Sequence, residues 1–100
     1  MTNAVYYVSY KLKKGACVED FLLSAEKLNN EHISKQKGYI SWQQLTDGKT
    51  WLDLITFKTI EDLNNFKEAS KRPDELAKKF YSFINPFSCK ENIFTVKKSY

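Results

Sequence analysis

Residues 41–57, SWQQLTDGKTWLDLITF, are two strand-like runs joined through Asp47-Gly48. An Asp-Gly pair between such runs is a strong short-range signal for a β-hairpin. With these two residues as the turn, Trp42 and Trp51 share one face of the hairpin and lie diagonal to each other. The predicted cross-strand pairs are Thr46 with Lys49, Gln44 with Trp51, Trp42 with Asp53, and Ile40 with Ile55.

The segments on either side of this hairpin predict a strand, a helix, and then a second helix and a last strand. Residues 5–12 are aromatic and β-branched, as in a strand, and apolar residues at helical spacing follow over residues 18–33, in a helix that we expect Gly38 to end. Thr59 with Asp62 three residues on is typical of a helix start. Residues 92–96, NIFTV, predict the fourth strand.

A third helical piece is predicted between the second helix and the last strand. Pro73 suits its first turn. The order β-α-β-β-α-β with this extra helix predicts an α+β, ferredoxin-like fold with a four-stranded antiparallel sheet. We expect apolar contacts from the following residues of the extra piece: Leu76, Ala77, Phe80, Phe83, Ile84 and Phe87.

The length and charge of the chain limit the number of domains and the kinds of partner that we expect. One hundred residues form one domain, 1–100, with a single core. The net charge of +4 is spread evenly and includes one arginine, which is unlike a phosphate-binding surface. No apolar run approaches the roughly 20 residues of a membrane span, and the first residues lack a signal-peptide pattern. We therefore expect a cytoplasmic protein without a membrane partner.

The two cysteines and the single histidine exclude several kinds of site. Cys17 and Cys89 are too few for a disulfide framework and are interpreted as reduced thiols. The fold plan places the end of the first strand beside the start of the fourth, so the two thiols could be near neighbours. One histidine excludes metal sites that need two imidazoles, and we expect no metal.

Both faces of the predicted sheet are apolar. Leu52 and Leu54 point one way, while Trp51, Ile55 and Phe57 point the other way with Asp53 among them. Helices cover only one face of such a sheet, so the other needs a second cover, and another copy of the chain is the commonest one. The tryptophan face is then a sheet-to-sheet dimer interface or a pocket enclosed by it. Its candidate residues are Tyr6, Tyr10, Trp42, Trp51, Ile55 and Phe57.

With these features the sequence resembles the dimeric α/β-barrel superfamily, and in particular its antibiotic biosynthesis monooxygenase-like (ABM) domain. The resemblance rests on YKLKKGACVEDFL, on KGYISWQQLTDGKTWLDLITFKTIEDLNNF and on the closing strand. It implies a homodimer formed through the sheet faces and an activity like that of cofactor-independent monooxygenases, so no cofactor is expected. The haem-degrading members carry an Asn, a Trp and a His where this chain has Val8, Phe57 and no histidine, so that activity is not expected.

Two residues are catalytic candidates. Asp53 is a general base or polar anchor with a raised pKa in an apolar pocket, or else a structural carboxylate that has a lysine or water as partner. His32 is a base, or else a residue at the edge of the core with satisfied ring nitrogens. The aromatic residues of the same face either stack on a flat, small aromatic or apolar ligand or simply pack.

Three functions stay open from the sequence. The first is a homodimeric small-molecule-binding protein, with catalysis undecided. The second is an RRM-like single-stranded RNA-binding module, with bases stacked on Tyr6 or Tyr10 and on Trp51 or Phe57. Asp53 on that strand disfavours nucleic acid, because a carboxylate repels phosphate. The third is a structural or regulatory dimer without chemistry.

Overall fold

A computed structural model describes residues 2–100 as four strands and three helices. The four antiparallel strands form one sheet in the order β2-β3-β1-β4. This confirms the predicted ferredoxin-like α+β plan with its extra helix. The elements are β1 (Ala4–Tyr10), α1 (Val18–Glu31), β2 (Tyr39–Thr46), β3 (Trp51–Phe57), α2 (Ile60–Ser70), α3 (Glu75–Tyr81) and β4 (Lys90–Thr95).

The hairpin between β2 and β3 is present, but the predicted register is wrong by two residues. Asp47 Oδ1 accepts hydrogen bonds from the backbone N–H groups of Lys49 at 2.8 Å and Thr50 at 2.7 Å, which closes a four-residue loop. Thr46 therefore pairs with Trp51. A shift of two residues keeps the side chains of residues 42–46 on their predicted faces, because strand side chains alternate with a period of two. A bulge between Tyr39 and Ser41 leaves Ile40 without a partner, so its predicted pairing with Ile55 is wrong. The remaining pairs of interest are Gln44 with Asp53 and Trp42 with Ile55.

The first helix is shorter than predicted. It ends at Glu31, His32 is its C-cap, and a short 3₁₀ turn covers Ile33–Lys35. Gly38 instead leads into β2 with φ of +80°, and a Cβ atom there would lie 2.1 Å from Asp62 Oδ2. Glycine is therefore required at this position by both backbone conformation and space.

The starts of the other two helices follow the side chains that cap them. Thr59 Oγ1 accepts from the Asp62 N–H at 3.1 Å, which confirms the predicted cap of α2. The cap of α3 is Asp74, whose Oδ1 accepts from the Ala77 N–H at 2.9 Å, so Pro73 lies before the helix and not in its first turn. Phe87 was expected to make apolar contacts, but it is 98% exposed on a 3₁₀ turn.

All three helices lie on one side of the sheet, which we call the covered face. The ring of Trp51 contacts Phe21 of α1 with centroids 5.2 Å apart, and Trp42 contacts Phe80 of α3 at 5.5 Å. The two tryptophans therefore face the helices, and the interpretation of their face as a sheet-to-sheet interface is wrong. The strand residues of the covered face that matter below are Tyr6, Val8, Tyr10, Trp42, Gln44, Trp51, Asp53, Ile55, Phe57 and Glu91.

The opposite side of the sheet, which we call the open face, carries no helix among residues 2–100. The residues here alternate with those of the covered face and are partly or largely exposed. Tyr7 and Phe94 form an edge-to-face aromatic pair across β1 and β4, with centroids 5.8 Å apart. The apolar side chains of this face are Val5, Tyr7, Leu45, Leu52, Leu54 and Phe94.

None of the helices formed by residues 2–100 has the length and apolar character of a membrane span.

Candidate functional site

A cavity of about 230 Å³ lies between the covered face and the helices. Its floor includes side chains of β1, β2 and β3, and its roof includes Leu28 of α1, Phe66 of α2 and Phe80 of α3. Most of this lining is apolar, and the polar groups are concentrated at the sheet. Such an apolar cavity with a few convergent polar groups is the usual form of a small-molecule site.

The cavity contains most of the residues singled out from the sequence. Tyr6, Tyr10, Trp42 and Ile55 line it, together with Asp53. Trp51 and Phe57 lie on the same face but are buried in the core outside the cavity lining. Both residues pack in the core, because Trp51 contacts Phe21 and Phe57 contacts Phe66.

Asp53 is the buried acidic group of this cavity. It is 5% exposed, and its Oδ1 accepts a hydrogen bond of 2.8 Å from the Tyr10 hydroxyl. Burial raises the pKa of Asp53 to about 6, although the Tyr10 hydrogen bond acts in the opposite direction. No lysine or arginine among residues 2–100 forms an ion pair with it, so the lysine partner considered from the sequence is absent there. The carboxyl is therefore poised to exchange a proton near neutral pH.

Two nitrogen donors from β2 lie beside this carboxyl. The Trp42 indole and the Gln44 amide are near enough to Asp53 to lower the pKa of the carboxyl. Yet Trp42 Nε1 and Gln44 Nε2 are both buried and have no hydrogen-bond partner within residues 2–100. Sequence reasoning missed Gln44 because the predicted register placed it opposite Trp51, whereas it lies opposite Asp53.

A second polar group lies at the β4 side of the cavity. The Tyr6 hydroxyl donates to the Glu91 carboxylate, and Lys67 Nζ lies 3.2 Å from the other oxygen of Glu91. These partners hold the pKa of Glu91 below its ordinary value, with the Tyr6 hydrogen bond as the largest cause. Burial and the Glu91 hydrogen bond raise the pKa of Tyr6. Asp53 and Glu91 flank Val8 on the covered face, one on each neighbouring strand.

His32 lies outside the cavity. Its side chain is 45% exposed, and its Nε2 is 2.5 Å from Asp74 Oδ2. Both residues line a neighbouring groove of about 170 Å³, whose lining also includes Arg72. This groove shares Leu28 and other lining residues with the cavity. The structure thus does not bring the two predicted catalytic candidates, Asp53 and His32, into one site.

The Cys89 thiol lies at the cavity, whereas the Cys17 thiol does not. Cys89 is exposed and lines the rim of the cavity, where burial is the largest of the effects that raise its pKa and the Asp53 carboxyl is the next. Cys17 is also exposed, and it precedes α1 outside the cavity lining. Among residues 2–100, no cluster of His, Cys, Asp and Glu side chains is suited to hold a metal ion.

The overall structure is similar to several solved structures. Cofactor-independent oxygenase SnoaB from Streptomyces nogalater is 10% identical over 99% of this chain and 97% of its own, with a TM-score of 0.74. A monooxygenase from the gene ActVA-Orf6 of Streptomyces coelicolor, solved with the ligand nanaomycin D, is 16% identical over 99% of this chain and 91% of its own, with a TM-score of 0.69. A dimeric ferredoxin-like protein from an uncultured marine organism is 13% identical over 100% and 92%, with a TM-score of 0.66.

These similarities concern the fold. No family model matches the sequence, and no curated protein matches it either. The likeness to the ABM-type monooxygenase structures nonetheless spans nearly the whole chain, so the resemblance seen in the sequence is confirmed at the level of the fold.

Proposed function

We propose that this chain forms a homodimer that binds a small aromatic molecule in the cavity above Asp53 and acts on it in the manner of the cofactor-independent ABM-type monooxygenases. The observation that carries the proposal is a buried carboxyl of raised pKa that faces an apolar cavity. A carboxyl without a cationic partner in such a place reduces stability, and groups of this kind are enriched at functional sites.

The size of the cavity limits its ligand. An apolar cavity of about 150 Å³ is large enough for benzene, and drug-sized ligands occupy about 300 Å³ or more. The cavity of about 230 Å³ therefore suits a molecule of one or two rings. Trp42 and Phe80 offer aromatic surfaces on which a flat ring can stack.

The chemistry that this site supports is proton abstraction. Asp53 in its ionised form accepts a proton from an acidic O–H or C–H group of the ligand, and the apolar surroundings exclude water from the anion that is formed. An electron-rich phenolate or enolate of this kind is what an oxygenase without cofactor needs, because the substrate itself must supply electrons to dioxygen. When a phenol ring is converted to a quinone, one oxygen atom enters the ring and the other leaves as water.

The dimer is proposed to form through the open face. The chain exposes 7021 Å², whereas a compact monomer of 11.7 kDa exposes about 5,900 Å². The excess of about 1,100 Å² includes residues 96–100, which belong to no helix or strand, and a standard interface removes about 800 Å² from each partner. A second copy would cover the apolar side chains of this face, as a symmetric dimer of sheets does.

The RNA-binding alternative loses its aromatic platform. Tyr6, Tyr10, Trp51 and Phe57 were the side chains expected to stack on bases, and all four lie on the covered face under the helices. Bases cannot reach them there without displacement of a helix. A structural or regulatory dimer without catalytic activity remains the alternative, and it predicts that the cavity binds no ligand.

The two cysteines provide the test, because one lines the cavity rim and the other does not. Alkylation by iodoacetamide is followed at Cys89 and Cys17 by peptide mass spectrometry, with and without millimolar 1-naphthol, 2-naphthol or 2-naphthaldehyde. We expect at least one of these probes to slow alkylation of Cys89 several-fold and to leave Cys17 unchanged. The variant Val8→Phe, which fills the cavity floor, should lose this protection.

If no probe slows alkylation of Cys89, or if both cysteines are slowed equally, the cavity is not a ligand site and the non-catalytic dimer becomes the better interpretation.

A further inference from the structure

Strand β2 carries two side-chain nitrogen donors on the covered face, Trp42 Nε1 and Gln44 Nε2. Both atoms are buried, and neither has a hydrogen-bond partner within residues 2–100. Buried N–H groups without a partner are rare in native proteins because they lose their hydrogen bonds to water and gain none in return. Two such groups on one strand, two residues apart and on the same face, therefore call for an acceptor.

The position of these donors relative to Asp53 indicates what that acceptor is. Gln44 is the direct cross-strand partner of Asp53, so their Cα atoms lie about 5 Å apart. Trp42 lines the cavity beside them. An acceptor held by the two N–H groups would thus place its next atom within reach of the Asp53 carboxyl.

Asp53 itself is the competing acceptor. Its Oδ1 already receives the Tyr10 hydroxyl, and both β2 donors lie near it. Proximity alone does not make a hydrogen bond, because a hydrogen bond also needs a suitable donor–acceptor distance and angle. By that geometry neither Trp42 Nε1 nor Gln44 Nε2 is bonded to the carboxyl or to any other group within residues 2–100. Both donors are therefore available to another oxygen.

We propose that Trp42 Nε1–H and Gln44 Nε2–H bind one oxygen of the ligand, which is either a carbonyl oxygen next to an acidic C–H bond or a hydroxyl oxygen that carries the acidic proton itself. This inference rests on the proposed function of the cavity. In a ketone, the C–H bond beside the carbonyl breaks and the proton passes to the Asp53 carboxylate. The electron pair of that bond forms the enolate, and the two N–H groups hold the charge on its oxygen.

The test compares two probes of the same shape that differ in the oxygen. Dissociation constants of 2-naphthol and 2-methylnaphthalene are measured by calorimetry, with protection of Cys89 from alkylation as a second readout. We expect the wild-type protein to bind 2-naphthol about ten-fold more tightly than 2-methylnaphthalene. Gln44→Met and Trp42→Phe should each move this ratio toward one, because each removes a donor and keeps an apolar side chain of similar size.

Gln43 offers a matched control on the same strand. It lies next to Gln44 but on the open face, opposite Leu54. Gln43→Met makes the same chemical change and should leave the binding ratio at the wild-type value. Circular dichroism of all three variants verifies that the sheet is intact.

The possible results distinguish failure of the oxygen site from failure of the proposed function on which it rests. If the wild type binds both probes equally, or if Gln44→Met and Trp42→Phe keep the wild-type ratio, the cavity binds ligands but the oxygen site is overturned. A pKa of Asp53 that rises in both variants without any change in the ratio would assign the donors to the carboxyl and also overturn the inference. If neither probe binds or protects Cys89, the proposed function fails and the inference fails with it.

Discussion

The covered face and the open face of the sheet are built from alternating residues of the same four strands, and both are apolar. On β3, Trp51, Asp53 and Ile55 point to the covered face and are buried, while Leu52 and Leu54 point to the open face and remain partly exposed. The helices add aromatic rings to one side only, with Phe21, Phe66 and Phe80 in contact with strand residues. An apolar pattern therefore indicates that a face will be covered, but not by what.

The two faces also differ in whether they carry acidic side chains. Asp53 lies on the covered face with its carboxyl in the cavity, whereas the open-face positions of the described strands hold no acidic residue. A face that only needs a packing partner has no use for a buried carboxyl, since that group lowers stability. Under the proposed function, the covered face serves folding and ligand binding and the open face serves association, and three changes test that division.

The largest effect is expected on the covered face. Phe21 is fully buried and its ring contacts Tyr10, Trp51, Phe80 and Phe83. Phe21→Ala should lower the free energy of unfolding by about 3–5 kcal/mol, because it removes a large side chain and leaves a cavity that its neighbours cannot fill. Urea denaturation at a fixed protein concentration measures this loss.

Phe94→Ala is the matched change on the open face. Phe94 is 51% exposed and has one aromatic contact, with Tyr7. Its replacement should cost about 1 kcal/mol or less in a monomer. Losses of similar size for the two variants at a concentration where the protein is monomeric would mean that the two faces do not differ as described.

The second effect concerns association. Leu54 is partly exposed near the middle of the open face, between Tyr7 and Gln43 on the neighbouring strands. Leu54→Asp places a charge in the proposed interface, and a two-fold dimer brings two copies of that charge together. Sedimentation should show weaker association, with the dissociation constant of the dimer raised by about 100-fold or more.

Leu23 provides the control for that change. It is 59% exposed on α1, away from the open face, so Leu23→Asp introduces the same charge elsewhere. It should leave the dimer intact, and circular dichroism should show that both variants are folded. A wild-type protein that sediments as a monomer, or a Leu54→Asp protein that remains dimeric, would remove the open face as the interface.

The sequence carried enough information for the order of elements, but not for the exact pairing of the strands. The Asp47-Gly48 pair correctly placed the hairpin, and Thr59 with Asp62 correctly placed the start of α2. The register was wrong because the Asp47 side chain closes a four-residue loop, and a side-chain hydrogen bond of this kind competes with the tighter turn. The end of α1 was also missed, because the helix stops at Glu31 and a 3₁₀ turn follows, while Gly38 leads into β2.

The candidate site was only partly predictable for the same reason. Asp53 stood out because a carboxylate in an apolar run needs an explanation, and the cavity confirms that the residue lies in apolar surroundings. Its partner Tyr10 is 43 residues away, and its neighbour Gln44 depends on a register that the turn sets. The side of the sheet that the tryptophans face could not be read from alternation, because both sides alternate equally well.

The third effect tests the cost of the carboxyl on the covered face. Burial raises the pKa of Asp53 from 3.8 to about 6. Below pH 3.8 the carboxyl is neutral in both the folded and the unfolded chain. As the pH rises toward 6, the unfolded chain releases its proton first, so the free energy of unfolding falls, and above 6 the loss is constant. Asp53→Asn does not titrate, and its stability relative to wild type should rise by about 2 kcal/mol between pH 4 and pH 7.

Asp47 gives the opposite sign on the same hairpin and serves as the control. Backbone hydrogen bonds from Thr50 and Lys49 hold the pKa of Asp47 below its ordinary value, so its ionised form stabilises the fold. Asp47→Asn should therefore lose stability relative to wild type as the pH rises through the acidic range, whereas Asp53→Asn gains it. Urea unfolding of the wild type, Asp53→Asn and Asp47→Asn from pH 2 to pH 8 measures both slopes, that of Asp47 below its ordinary pKa of 3.8 and that of Asp53 above it. If the curve of Asp53→Asn stays parallel to that of the wild type, the covered face carries no destabilising carboxyl, and the difference between the two faces reduces to packing alone.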